Sequence, residues 1–212
     1  MPSPSVIPAK QLRSQDTQRK LMAAIHHCLQ NKFFEHISIK ELCDHAGVSV
    51  GTFYRRFKNK EALLPLLYQD FGSELNEWMT QLESIQFATL TEAVSGVTQQ
   101  THHFFAANRS LFRTIHLNSR LHTDIVAGDA LIDRRHLYRR ISNILLRFKG
   151  DIIATDKTST ANMVVFTMIT TLLDKVLYPD ITPSIACELD SIALCDELTK
   201  MLMLYLIYGQ NE

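Results

Sequence analysis

The chain has 212 residues, 46% of them hydrophobic and 21% charged, which is enough for a sizeable core and is the composition of an ordinary globular protein of one or two domains. Its formal net charge is zero and its pI is near 7.1, so the molecule as a whole lacks the footprint of a nucleic-acid or membrane binder. The average hides a split: ten bases stand against six acids up to Phe71, leaving twelve against sixteen beyond it, or +4 in front and −4 behind. A basic front on an acidic body suggests that only the front meets a polyanion.

The N-terminal stretch, with Pro2, Pro4 and Pro8 among serines, reads as a flexible arm over 1–14 and has no apolar core of a secretion signal. Leu21, Ile25, Cys28 and Leu29 then form the apolar stripe of a first helix. Ser38 and Glu41 are spaced as a capping box that starts a second helix at Ile39, and Gly47 is placed to end it in the left-handed conformation. Ser49 caps a third helix, so two short helices meet across Gly47, Val48 and Ser49. This is a helix-turn-helix over 38–57. At about 100° per residue, Phe53 and Phe57 share the anchoring face of the third helix. Arg55 and Gly51 lie opposite, with Thr52 on one shoulder, Val50 and Tyr54 on the other, and Arg56 between.

Leu64, Leu67, Tyr68, Phe71, Leu75, Trp78, Met79 and Leu82 give a longer helix, and further helical stretches span 90–107, 110–117, 119–148, 159–178 and 185–208. Glycines are few, at seven, and no apolar-polar alternation lasts for a strand, so the fold class is all-α with about nine helices. The longest apolar run, Met201 to Tyr208, is far short of the ~20 residues a membrane span needs.

The segment "SIKELCDHAGVSVGTFYRRFKNKEALL", within residues 15–64, resembles the DNA-binding domain of the tetracycline-repressor (TetR) family of bacterial regulators. The glycine before the turn, the "GTFYRRF" recognition helix and the "KNKEAL" opening of the next helix carry the likeness, which covers about the first third of the chain. The resemblance implies a homodimer on a double-stranded DNA operator, a long fourth helix leading into a helical ligand-binding body, and two helices per subunit in a dimer bundle. It implies a flexible arm at 1–14, a DNA-binding domain at 15–60 and a ligand-binding and dimerisation domain at 61–212. By the same resemblance Thr52, Tyr54 and Lys60 hold phosphates, Lys40 approaches DNA from the second helix, and Val50, Gly51 and Arg55 read bases; Ser49 and Arg56 complete the expected set. The physical reading agrees for Arg55, whose fork suits guanine, for Gly51, which lets the backbone come close, and for Lys60 as a mobile point charge. Pro65 departs from the expected pattern, since inside a helix it removes the amide bond to Glu61; the fourth helix therefore begins late or bends near its base.

Other chemistry is weakly signalled. The histidine doublets His26-His27 and His102-His103 point about 100° apart on a helix, no H-E-x-x-H or Cys-His set has zinc spacing, and no metal or other cofactor is expected. His36 and His45 read as surface residues of the front domain. The four cysteines form no C-x-x-C pair and fit a reducing cytoplasm, and no nucleophile elbow or phosphate loop suggests an enzyme. Trp78, Phe104, Phe112, His116 and Phe166 are the expected walls of a pocket for a small apolar or amphipathic effector. The cluster Arg134, Arg135, Arg139, Arg140 and Arg147 reads as a solvated or interface face rather than an anion site. The function expected is a repressor that a small molecule releases from its operator; the alternative is a DNA-binding regulator without such an effector, constitutive or controlled by a partner protein.

Overall fold

A computed structural model describes residues 9–121 and 134–208. Among them lie nine α-helices and no strand: α1 (Ala9–Leu29), α2 (Ile39–Ala46), α3 (Val50–Tyr54), α4 (Leu64–Ser84), α5 (Leu90–Ala107), α6 (Arg109–Leu121), α7 (Arg134–Leu146), α8 (Lys157–Leu177) and α9 (Ser191–Tyr208). The chain divides into two compact units, a head from residues up to 70 together with 113–128, and a body from 71–112 and 129–212. The head thus reaches Asp70, beyond the Lys60 boundary read from the sequence; Leu63 just before α4, and Leu64, Leu67 and Tyr68 at its start, are buried. Arg113, with its guanidinium carbon 3.6 Å from the centre of the Phe33 ring, also belongs to the head.

In the head, α1 packs on α2 and α2 on α3 around Leu21, Ile25, Ile37, Leu42 and Phe53, all essentially inaccessible. Helix α1 begins at Ala9, so part of the stretch expected as an arm is helical. A 3-10 turn, Lys60–Leu63, precedes α4, and the Asn59 side chain caps it by accepting from the Ala62 amide at 3.1 Å. Helix α4 then starts at Leu64, which places Pro65 in the first turn, where a missing amide costs nothing. The late start, not a bend, is how the chain accommodates this proline.

In the body, α5, α7, α8 and α9 pack on one another around Val94, Val97, Ile144, Met168, Leu172, Leu198 and Leu202. Their ends are fixed by side chains: Thr89 accepts from the Glu92 amide at 3.1 Å, Asp156 from the Ser159 amide at 3.0 Å, and Asp190 from the Ile192 and Ala193 amides at 3.0 and 2.9 Å. The Asp190 cap starts α9 at Ser191 instead of Ile185, which lies in the 3-10 turn Ser184–Ala186. The stretch 119–148, expected as one helix, contains the end of α6 and all of α7, and its middle lies outside the described residues. Helix α8 has the length and apolar content of a membrane span, contrary to the reading from apolar runs; half of its most apolar window is buried inside the body, as in the core helix of a bundle.

Candidate nucleic-acid interface and the clefts of the body

The helix-turn-helix is built by local chemistry. Ser38 accepts from the Glu41 amide at 3.1 Å, and the Ser38 amide in turn helps hold the Glu41 carboxyl below its usual range, after the larger effect of Lys32. Gly47 has φ 63° and ψ 36°, a left-handed conformation that ends α2 without the steric cost a Cβ would bring. Two residues on, Ser49 accepts from the Thr52 amide at 3.1 Å and opens α3. Phe53 points into the head core, with Phe57 half-buried beside it at 5.5 Å between ring centres.

What α3 presents outward is ordered. The Ser49 and Thr52 hydroxyls are 2.9 Å apart, and the Arg55 guanidinium donates to the Thr52 hydroxyl at 2.8 Å, so three polar side chains one turn apart form a hydrogen-bonded row. Val50 and Gly51 are exposed beside the row, and Tyr54 is 56% exposed with its ring edge-on to Phe53. Lys40 is exposed on α2.

Two residues of the expected set are engaged elsewhere. Lys60 donates to the carbonyls of Phe34 at 2.7 Å, Ile37 at 2.8 Å and Glu35 at 3.3 Å, with its ammonium 4.6 Å from the centre of the Phe34 ring. Burial pushes its pKa below the usual lysine value. The expectation of a mobile phosphate-holding charge is therefore corrected: this ammonium ties the 3-10 turn Phe34–His36 to the start of the helix that follows α3. Arg56 turns back to α1, donating to the Ser14 carbonyl, to the Ser14 hydroxyl at 2.6 Å and to Gln18 at 3.1 Å. Its position between the two shoulders of α3 suggested an outward role, yet the nearby N-terminal half of α1 supplies the acceptors.

Three of the expected pocket walls, Trp78, Phe104 and Phe112, pack on one another. Trp78 stacks on Phe104 at 4.5 Å between ring centres, and Phe112 lies edge-on to Phe104 at 5.6 Å, to Phe105 at 4.6 Å and to Phe71 at 4.9 Å. The rings make a connected set of stacked and edge-on contacts. Phe166 is 55% exposed on α8, and His116 falls in the head. A cleft of about 350 Å³ opens elsewhere in the body, lined by apolar Val176, Pro179 and Leu194 and by His102, Arg109, Lys175 and Asp190. Burial, with His103 beside it, lowers the His102 pKa, and Lys175 donates to the carbonyls of Ser184, at 3.0 Å, and Cys187. Sequence reasoning missed this cleft because its walls come from three separated stretches with no shared period.

The arginine cluster also divides. Arg140 grips Glu83 through two bonds of 2.9 and 2.7 Å and reaches Asn76 at 2.6 Å, while Arg147 donates to the Glu83 carbonyl at 2.9 Å. These two hold the end of α4 rather than an anion or open solvent. Arg135 and Arg139 line a second, shallow cleft of about 330 Å³ with Tyr138 and Asn162, and the Arg134 side chain lies outside the described residues. One further group was not expected at all: Cys28 on α1 and Glu41 and His45 on α2 bring their donor atoms within 4.8 Å of one another.

Residues 21–67 match the family model of bacterial regulatory proteins, tetR family. The HTH-type transcriptional regulator UidR of Escherichia coli K12 is 28% identical over 92 residues, 42% of this chain, and the match spans about half, 47%, of that relative's length. Among solved structures, the chain is similar to the TetR-family regulator PfmR of Thermus thermophilus, with TM-score 0.55, 18% identity and coverage of 92% of this chain and 100% of that one. It is similar to Salmonella enterica GusR, with TM-score 0.54, 19% identity and coverage of 91% and 95%. It is also similar to the regulator FadR of Bacillus subtilis in complex with stearoyl-CoA, with TM-score 0.57, 20% identity and coverage of 87% and 97%. The tetR-family sequence match lies in the head, on a capped helix-turn-helix, and over nearly its whole length the chain shares the all-helical fold of these solved structures.

Proposed function

We propose that the protein is a dimeric DNA-binding transcriptional regulator, a repressor that a small amphipathic molecule releases from its operator. The observation that carries the DNA-binding part is the hydrogen-bonded row Ser49–Thr52–Arg55 on an exposed α3 that is locked to the head by Phe53 and by the Ser38, Gly47 and Ser49 caps. A helix so anchored fits a major groove, with Arg55 as the base reader and Thr52, Tyr54 and Lys40 on the flanking backbone. The positive balance of the front of the chain supports attraction to a polyanion.

Self-association is supported by apolar side chains left outward on α8 and α9: Met163 and Phe166 on the first, Ile192, Met201 and Leu204 on the second. Ile192 at 77% exposure is hard to account for in a monomer. The effector is supported by the cleft near Lys175, whose apolar floor and mixed charges suit an amphipathic molecule, and by the stearoyl-CoA in the structure of the B. subtilis relative. Cytoplasmic placement goes with this role.

The test begins by selecting duplexes from a random-sequence pool with the purified chain. A two-fold symmetric site should be enriched, and Arg55→Ala should cost about 1–3 kcal/mol per half-site on it while changing affinity for scrambled duplex much less. An equal loss on both duplexes would make Arg55 a phosphate contact. Sedimentation should report a dimer at micromolar concentration. Acyl and aryl carboxylates should then be screened for release of the bound duplex; release abolished by Lys175→Ala locates the effector, and failure of every amphipathic probe returns the reading to a regulator without one.

A further inference from the structure

We infer that the head carries a zinc site formed by Cys28, Glu41 and His45, which would clamp α1 to α2. The inference goes beyond DNA reading and does not depend on it. Glu41 and His45 are four residues apart on α2 and so share one face, and Cys28 near the end of α1 faces them, with all three donor atoms within 4.8 Å of one another. Donors around a tetrahedral zinc with ordinary Zn–S, Zn–N and Zn–O bonds sit about 3.3–3.8 Å apart, so the three need draw in by only about 1 Å, within reach of rotamer adjustment. The centre of the His27 ring lies 5.0 Å from that of His45, and water can complete the coordination.

The donor set chooses the metal. A thiolate, an imidazole and a carboxylate suit zinc, whereas magnesium asks for an octahedron of oxygens. The existing partners are compatible with a bound ion. Lys32 bonds one oxygen of Glu41, at 2.7 Å, and the Ser38 amide also bonds the carboxylate; its two oxygens have about four lone-pair sites, so a site remains for a metal while both partners hold the carboxylate in place. Cys28 is buried and His45 exposed, so the ion would enter from the solvent side and bind with its sulfur ligand out of reach of water. Binding displaces the thiol proton to solvent, so that the site holds Zn(II) as a thiolate complex without any redox step. The ion would staple the two helices that support α3, on the side of the head where α1 ends.

The experiment uses the full chain stripped by chelator and titrated with zinc against a chromophoric competitor. One equivalent per chain is expected, with affinity lowered at least about tenfold in His45→Ala and unchanged in His36→Ala, an exposed head histidine outside the group. His45 is exposed, so its loss leaves the core intact and the comparison does not depend on a refolded variant. Cobalt in place of zinc should give a thiolate-to-metal charge-transfer band that survives Cys187→Ser and is absent from Cys28→Ser. The melting temperature of the stripped chain should rise on adding zinc and not magnesium, and the rise should vanish in His45→Ala. Absence of stoichiometric binding, equal zinc affinity in His45→Ala, or a cobalt form without the thiolate band would each overturn the site.

Discussion

The head and the body are held together by different means. The head is small: its helices α2 and α3 are eight and five residues long, too short to persist alone, and each depends on a serine cap, a left-handed glycine or an inserted ammonium. The body uses helices of 13 to 21 residues over a continuous apolar core. The head gains definition from hydrogen bonds of known direction. The body gains it from volume, and leaves apolar surface over on α8 and α9.

The sharpest way to break the contrast is Phe53→Ala. The ring is fully buried beneath α3 and its removal should cost about 3–5 kcal/mol. Amide exchange should accelerate throughout α1, α2 and α3 and stay unchanged in α5 and α8; uniform acceleration everywhere would mean that the two units are one cooperative core. Next in size is Lys60→Ala, expected to cost about 2–3 kcal/mol because two part-buried carbonyls, of Phe34 and Ile37, lose a charged donor. Denaturant unfolding should show this loss without any ligand or DNA present, which a surface phosphate-binding lysine would not.

The body has one polar clamp of comparable kind, and it sharpens the comparison through pH. Hydrogen bonds from Arg140, then the nearby charges of Arg140, Arg147 and His136, hold the Glu83 carboxyl below its usual range. A carboxyl depressed in the folded state stabilises above its unfolded pKa of ~4.3 and loses that contribution as pH falls through its folded value. Glu83→Gln should therefore lower the melting temperature at pH 7, and the gap to wild type should close as pH falls below about 4. A gap that stays constant would show the clamp to be packing rather than charge. The smallest effects belong to the caps: Ser38→Ala and Ser49→Ala should cost about 1 kcal/mol each, and because the second also removes an acceptor from the Ser49–Thr52 pair, it should broaden the motion of Arg55 in relaxation measurements while the first does not.

The contrast also decides what could be read from the chain. Ser38, Glu41, Gly47 and Ser49 act on neighbours three or four residues away, so the turn, both helix starts and the exposed face of α3 were legible in order. The helices of the body were legible as periods, and α5 is found over the expected 90–107. Fates decided by distant partners were not legible. Arg56 lies between the outward shoulders on a helical wheel and Lys60 is a lysine at a helix start, but their acceptors lie more than twenty residues upstream. The aromatic residues gave no sign that they would stack on one another, and Cys28 stands thirteen residues before Glu41, a spacing no zinc pattern contains.

The lysine at position 60 also separates charge from shape. Its nitrogen has three hydrogens arranged around one axis, and the carbonyls of Phe34, Glu35 and Ile37 converge on it from three directions. A guanidinium has more donors but keeps them in one plane, so it cannot satisfy a pyramid of acceptors from that position. Arginine at position 60, though it keeps the positive charge, should therefore restore little of what alanine loses. The lysine at this point is then a matter of stereochemistry as well as of charge.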